Sequence, residues 1–354
     1  MRRALILISL LALAGCGGDD EPPPERTRPA ADLGAIRTYL TEHTAALTEQ
    51  TAILREQAEE YHRLAEAAGF DYARLLDSHR EAVERILTTG KQAYRAANPA
   101  YEEMEGIVAG VPRLAQYDVD IDAGSDASDP ENAVSFSLEL PDGETLRQPG
   151  NLMFLTETSW FATNPDFLAP DAPKDVDGDG EAAFGEGMPD ARFLVAAMRT
   201  FDEMARELDA DAQEFEPTAS DAFTAITVMT PTMSEYFEAW KNSRFVAGGD
   251  STPEFAAASR LRDIADILEG LAFTYDEIEP LIAAEAPEQA AQTRRELSRL
   301  RSFVEDLSER EDAGTRYTAE QADTLGSQAQ RQAEGIAGQV TQAAQQLGVA
   351  LQEA

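Results

Sequence analysis

One cysteine, three histidines and two tryptophans in 354 residues leave few routes to common side-chain chemistry. A lone thiol at Cys16 can close no intramolecular disulfide and supports no redox pair. Basic residues are scarce as well, 29 Lys and Arg against 66 Asp and Glu, for a net charge of −37. Phosphate backbones need clustered cations, so nucleic acid is excluded as a partner, and so is a broad electrostatic patch for anionic lipid. The chain has no Gly-rich phosphate loop, no Gly-x-Ser-x-Gly elbow and no His-Glu-x-x-His helix. Nucleophilic catalysis is therefore poorly supported. What is present is a hydrophobic content of 43%, enough for a real core beneath an acidic, soluble surface.

The ends carry their own chemistry. Arg2 and Arg3, the apolar run Ala4 to Leu13, and Leu13-Ala14-Gly15-Cys16 read as a signal peptide (1–15) ending in a lipobox. The apolar run falls short of the ~20 residues that span a bilayer. Cys16 is the expected lipidation site, which tethers the chain to a bacterial membrane, in the periplasm or at the cell surface. Residues 16–31, with Pro22-Pro23-Pro24, read as a disordered tether.

The body is predicted to be all-α with a small β-hairpin. Ile36, Leu40, Leu47, Leu54 and Tyr61 recur at helical spacing behind an Asp32 cap. A second helix is expected over 71–96 and a third from Pro99 to Val108, opened by Asn98-Pro99. Residues 118–132 read as an acidic loop. Val134, Phe136, Leu138 and Leu140 alternate ahead of Pro141-Asp142-Gly143, a hairpin signal. A short helix over 152–161 and a long loop over 164–187 follow. Helices are then predicted over 189–210, 220–229, 232–245, 253–284, 287–311 and 318–353, with Thr252-Pro253-Glu254 as a start signal and a Thr318/Gln321 capping box. The organisation is an N-terminal bundle with the hairpin (32–163), the loop (164–187) and a C-terminal bundle (188–354).

The most specific motif is Asp175-Val-Asp177-Gly-Asp179-Gly180-Glu181, closed by Glu186. Asp175, Asp177 and Asp179 take positions 1, 3 and 5 of a calcium loop, Gly180 position 6 and Glu186 position 12, with Glu181 offering its carbonyl. Ca²⁺ is the expected cofactor, in a lone structural loop, since Pro165, Pro170 and Pro173 leave no helix leading in. Of the histidines, His43 falls on an apolar stripe and reads as a core residue; His62 and Glu66 share a helix face. Tyr101 and Glu105, four apart, also share a face. Asp263, after Ser259-Arg260-Leu261-Arg262, reads as one half of a surface salt bridge. Such oxygen-rich clusters suit hard cations, ferric iron included.

Two stretches, Ala97-Asn98-Pro99-Ala100-Tyr101-Glu102-Glu103-Met104-Glu105-Gly106-Ile107 and Leu114-Ala115-Gln116-Tyr117-Asp118-Val119-Asp120-Ile121-Asp122-Ala123, resemble the imelysin family, which includes EfeO-like periplasmic components of iron uptake. Arg260 to Ile264, Glu269-Gly270, Tyr317 to Leu325 and Ala343 to Leu351 are similar to its later segments. The resemblance implies two antiparallel helical bundles with a metal site between them, and a role in acquiring iron or another divalent metal beside a permease. It carries Glu105, Glu157 and Asp263 over as ligands, with Tyr101 alongside. The family's His-x-x-Glu pair falls on Phe154-Leu155-Thr156-Glu157, where phenylalanine replaces histidine. That departure disfavours a metallopeptidase. The alternative is a lipoprotein that binds an extracellular polysaccharide or protein through calcium.

Overall fold

The computed structural model describes residues 33–248 and 252–352; Cys16, the leader, the tether and Asp32 lie outside them. Two long helices open the fold, α1 (Gly34–Ala67) and α2 (Tyr72–Val108). The stripe Ile36, Leu40, Leu47, Leu54 and Tyr61 is buried, as its spacing predicts. Leu33 occupies the α1 cap position without a side-chain bond, whereas the Asp71 carboxylate caps α2 by accepting from the Arg74 N–H at 3.0 Å. α2 does not stop at Ala96. It passes through Asn98-Pro99 to Val108, and its one non-helical residue is His79 (φ −140°, ψ 25°). The proline forfeits a single backbone bond. Burial of the flanking Ala97, Asn98, Tyr101 and Met104 holds the helix together across it.

The acidic segment after residue 114 is more ordered than a loop. Its start forms α3 (Ala115–Asp118) and a π-helical turn (Val119–Ala123), which bury Asp118 and Asp120. Asp120 is structural, accepting from the Ser135 N–H (2.6 Å) and hydroxyl (2.7 Å). The hairpin pairs β1 (Ser137–Glu139) with β2 (Thr145–Arg147), antiparallel, Leu138 opposite Leu146. α4 (Leu152–Trp160) is capped by Asn151, and α5 (Ala191–Glu214) by Asp190. α5 packs along α1, so the first bundle takes a helix from beyond residue 188.

The second bundle holds α6 (Ala219–Met229), α7 (Met233–Asn242), α8 (Arg260–Glu285), α9 (Pro287–Asp312) and α10 (Ala319–Leu347). The Thr318/Gln321 capping box is complete. α8 starts at Arg260 behind a Ser259 cap, not at Pro253, because the N–H groups of Phe255, Ala256 and Ala257 donate to the Glu157 carboxylate. Among the described residues no helix is long and apolar enough to cross a membrane. α2 crosses α8 closely. A methyl group on Gly270 would collide with the Glu103 carbonyl oxygen, and one on Gly106 would press into Leu271 at 2.7 Å.

α1 is tied to the same crossing by His43. Its Nε2 lies 2.5 Å from Glu103 Oε2 and its Nδ1 2.7 Å from the Tyr39 carbonyl oxygen. Burial opposes the charged imidazole, but the bonds to Glu103 and Tyr39 outweigh it and raise the pKa above 6.5. A group whose folded pKa is raised stabilises fully below its unfolded value and loses that contribution as pH rises through the folded one. His43→Gln is therefore expected to lower the melting temperature more at pH 6 than at pH 9, read by thermal denaturation at both.

Candidate metal centre

At the bundle junction, α2 and the π-helical turn converge on the start of α8. Glu102 and Glu105, one helical turn apart, share the face of α2 turned to this junction, and both are buried. Asp122 arrives from the π-helical turn. One carboxylate oxygen from each of Glu102, Glu105 and Asp122 lies within 4.8 Å of the others. Glu105 Oε1 accepts from the Tyr236 hydroxyl at 2.7 Å, while Glu105 Oε2 is buried with no hydrogen-bond partner. An acceptor left bare in a protein interior costs about 1–3 kcal/mol, more for a charged group, so this oxygen marks a place for a cation or a proton.

The side chains expected as ligands are arranged differently from the expectation. Asp263 is no surface residue: it is 1% exposed, accepts from Asn98 Nδ2 at 2.8 Å and pairs with Arg260 at 3.4 Å. Tyr101 gives its hydroxyl proton to Asp118 at 2.8 Å, which ties α2 to α3. Glu157 is fully engaged. Its Oε2 accepts from the Phe255 N–H (2.7 Å), and its Oε1 from the N–H groups of Ala256 (2.9 Å) and Ala257 (2.7 Å). Of the carried-over set, only Glu105 belongs to the three-carboxylate group. Sequence reasoning missed Asp122 and Arg260, and it grouped Glu102 with Tyr101 and Glu105 on one helix without naming it a ligand. The spacings Glu102-x-x-Glu105 and Arg260-x-x-Asp263 were the available signals, but the π-helical turn that brings Asp122 round has none.

Phe154 lines the wall of the cavity at this junction. Its ring meets Phe167 edge-on at 5.7 Å, and Phe167 stacks on Phe193 at 4.3 Å.

Burial dominates the electrostatics. It pushes the carboxyls of Glu102, Glu105, Asp118 and Asp263 above their ordinary range, and mutual repulsion adds to the shift. Glu157 rises to about 7, burial outweighing its three N–H donors. The one cation within the cluster is Arg260, bound to Glu102, Asp122 and Asp263. A cavity of about 610 Å³ opens above it, lined by Glu105, Asp118, Asp122, Phe154, Tyr236, Glu254, Phe255 and Arg260. More acids, Asp126, Asp129 and Glu235, stand along its walls. The donor set fits a hard cation: it offers carboxyl oxygens only, and Glu105 and Asp122 line the cavity.

The model of the imelysin family, peptidase M75, matches residues 87–347. The chain belongs to the imelysin family. No curated relative matches it. Membership sets this imelysin-family protein among iron-uptake-related and peptidase-like proteins and agrees with its all-α architecture.

The second acidic group of this imelysin-family protein is the loop at Asp175. Oxygens of Asp175, Asp177 and Glu186 lie within 4.8 Å of one another. Asp179 lies outside that group and instead accepts from the Glu181 N–H at 2.8 Å, leaving Glu181 exposed. No flanking helix enters, only a 3-10 turn at Pro165–Phe167. The loop is docked on α2: Arg80 donates to the Asp175 and Val176 carbonyls, and Lys91 to the Gly185 carbonyl at 2.6 Å. Gly180 (φ +95°) supplies the left-handed turn the motif needs. Histidines are outside both groups. His62 lies 5.7 Å from the Phe70 ring, and His79 is exposed.

Glu157→Gln tests the reassignment of that residue. Replacing one acceptor oxygen with an amide N–H₂ sets donor against donor at the 255–257 backbone. The expected cost is about 1–3 kcal/mol in denaturant unfolding, with metal uptake by the folded protein unchanged.

Proposed function

We propose that this protein is an extracytoplasmic metal-capture protein, anchored by a lipid on Cys16, that takes up a hard cation such as iron and passes it to a membrane permease. The observation that carries the reading is the bare, buried Glu105 Oε2 beside oxygens of Glu102 and Asp122, with Glu105 and Asp122 lining an acidic cavity. Glu102, Glu105 and Asp122 would hold the ion. The absence of a histidine nitrogen favours oxygen-loving ions over zinc.

Family membership supports the iron-uptake side of the reading. The peptidase side draws less support. Hydrolysis needs an open metal and a positioned base. Phe154 offers no ligand, and the Glu157 carboxylate is occupied by three backbone donors. The acidic walls would also repel an acidic polysaccharide from this cavity.

Calcium is assigned to the Asp175–Glu186 loop as a structural ion. Its work is to order the segment between α4 and α5, where the loop already rests on Arg80 and Lys91.

Titration of chelator-stripped protein with Fe³⁺, Mn²⁺ and Ca²⁺ tests both assignments. Glu105→Gln is expected to weaken the iron or manganese site at least about tenfold, about 1.4 kcal/mol, and to leave the calcium effect alone. Asp177→Ala should remove calcium-induced stabilisation, about 2.7 kcal/mol at a hundredfold excess over Kd, and spare the iron site. Unchanged iron and manganese binding in Glu105→Gln would sink the cavity assignment.

A further inference from the structure

Arg260 is 4% exposed and sits among the carboxylates rather than beside them. Its Nη1 lies 3.2 and 3.3 Å from the two oxygens of Glu102 and 3.4 Å from Asp263 Oδ2; its Nη2 lies 3.5 Å from Asp122 Oδ2. The guanidinium carbon is 4.7 Å from the ring centre of Tyr236 and 4.7 Å from that of Phe255. Two of its three carboxylate partners, Glu102 and Asp122, belong to the group assigned to the metal.

We propose that Arg260 is the resident cation of this cavity, a positioning residue that holds Glu102 and Asp122 ready in the absence of metal and sets how strongly, and which charge of, cation the cavity accepts. The inference rests on the metal reading above and names what tunes that site.

The chemistry of the guanidinium supports the role. It stays charged at every accessible pH, so it cannot yield its place by losing a proton. Its planar fork reaches several oxygens at once, which holds the carboxylates in fixed directions. Contacts with two aromatic rings, through Tyr236 on α7 and Phe255 in the segment before α8, limit its withdrawal when an ion enters. An incoming metal therefore shares Glu102 and Asp122 with a fixed positive charge. Repulsion from that charge grows in proportion to the charge of the ion. The arrangement exchanges tight binding for a preformed, releasable site, which suits a protein that must hand its cargo on. A plain structural salt bridge would predict only that removing Arg260 weakens the fold.

The experiment uses the full chain carrying Asp177→Ala, so that the loop does not report, and adds Arg260→Met or Arg260→Lys. Mn²⁺ and La³⁺ affinities are measured by calorimetry. Arg260→Met is expected to bind Mn²⁺ at least about tenfold more tightly than the parent, about 1.4 kcal/mol, and to gain more for La³⁺ than for Mn²⁺. Arg260→Lys, which keeps the charge, should stay within about threefold of the parent. If Arg260→Met binds both ions no better than the parent, or if Arg260→Lys gains as much as Arg260→Met, the assignment is overturned. Should Arg260→Met emerge unfolded, recovery of its helical signal on adding La³⁺ supports the assignment and failure to recover overturns it. Failure of the metal reading shows separately, in a parent that takes up neither ion.

Discussion

A single guanidinium set against several buried carboxylates is the constraint around which this fold is arranged. Glu102 and Glu105 come from α2, Asp118 and Asp122 from the turns after it, Asp263 from α8, and all are pressed together with Arg260 as their one internal countercharge. Removing one partner from a buried pair costs about 3–5 kcal/mol, because the other is left charged and dry. The two bundles thus meet at their junction through charged as well as apolar contacts.

That junction demands close backbones. Gly270 lets α8 reach the carbonyl of Glu103, and Gly106 admits Leu271. Asn98 bridges from α2 to Asp263, which gives the residue before Pro99 a tertiary role inside the helix. The same stretch of α2 therefore supplies two of the three clustered carboxylates, the inter-bundle contact and, through Glu103, the tie to His43 on α1. Farther back along α2, Arg80 and Lys91 hold the calcium-type loop. One helix carries both acidic sites.

Much of this was legible in the sequence, where local chemistry decides the outcome. The Thr318/Gln321 box and the hairpin are short-range features, and each is found where the residues place it; of the loop motif, Asp175, Asp177 and Glu186 come together. The errors share a different cause. Asn98-Pro99 reads as a helix start because the pattern carries no record of the burial that overrides proline. Thr252-Pro253-Glu254 reads as another start, yet the next N–H groups are taken by Glu157, nearly a hundred positions earlier. Asp263 looked like a surface residue because its neighbours are charged, and only the crossing of α2 and α8 buries it. Glu157, expected as a ligand, instead accepts from three backbone N–H groups.

The segment from Thr252 to Ser259 belongs to neither bundle, and it hangs largely from that one carboxylate. Phe255 takes a left-handed conformation there (φ +50°), uncommon for an aromatic residue, and its ring forms part of the cavity wall. The mouth of the cavity is thus framed in part by a strap rather than by a helix. Changes of length or sequence in that strap can narrow or widen the entrance while both bundles keep their packing.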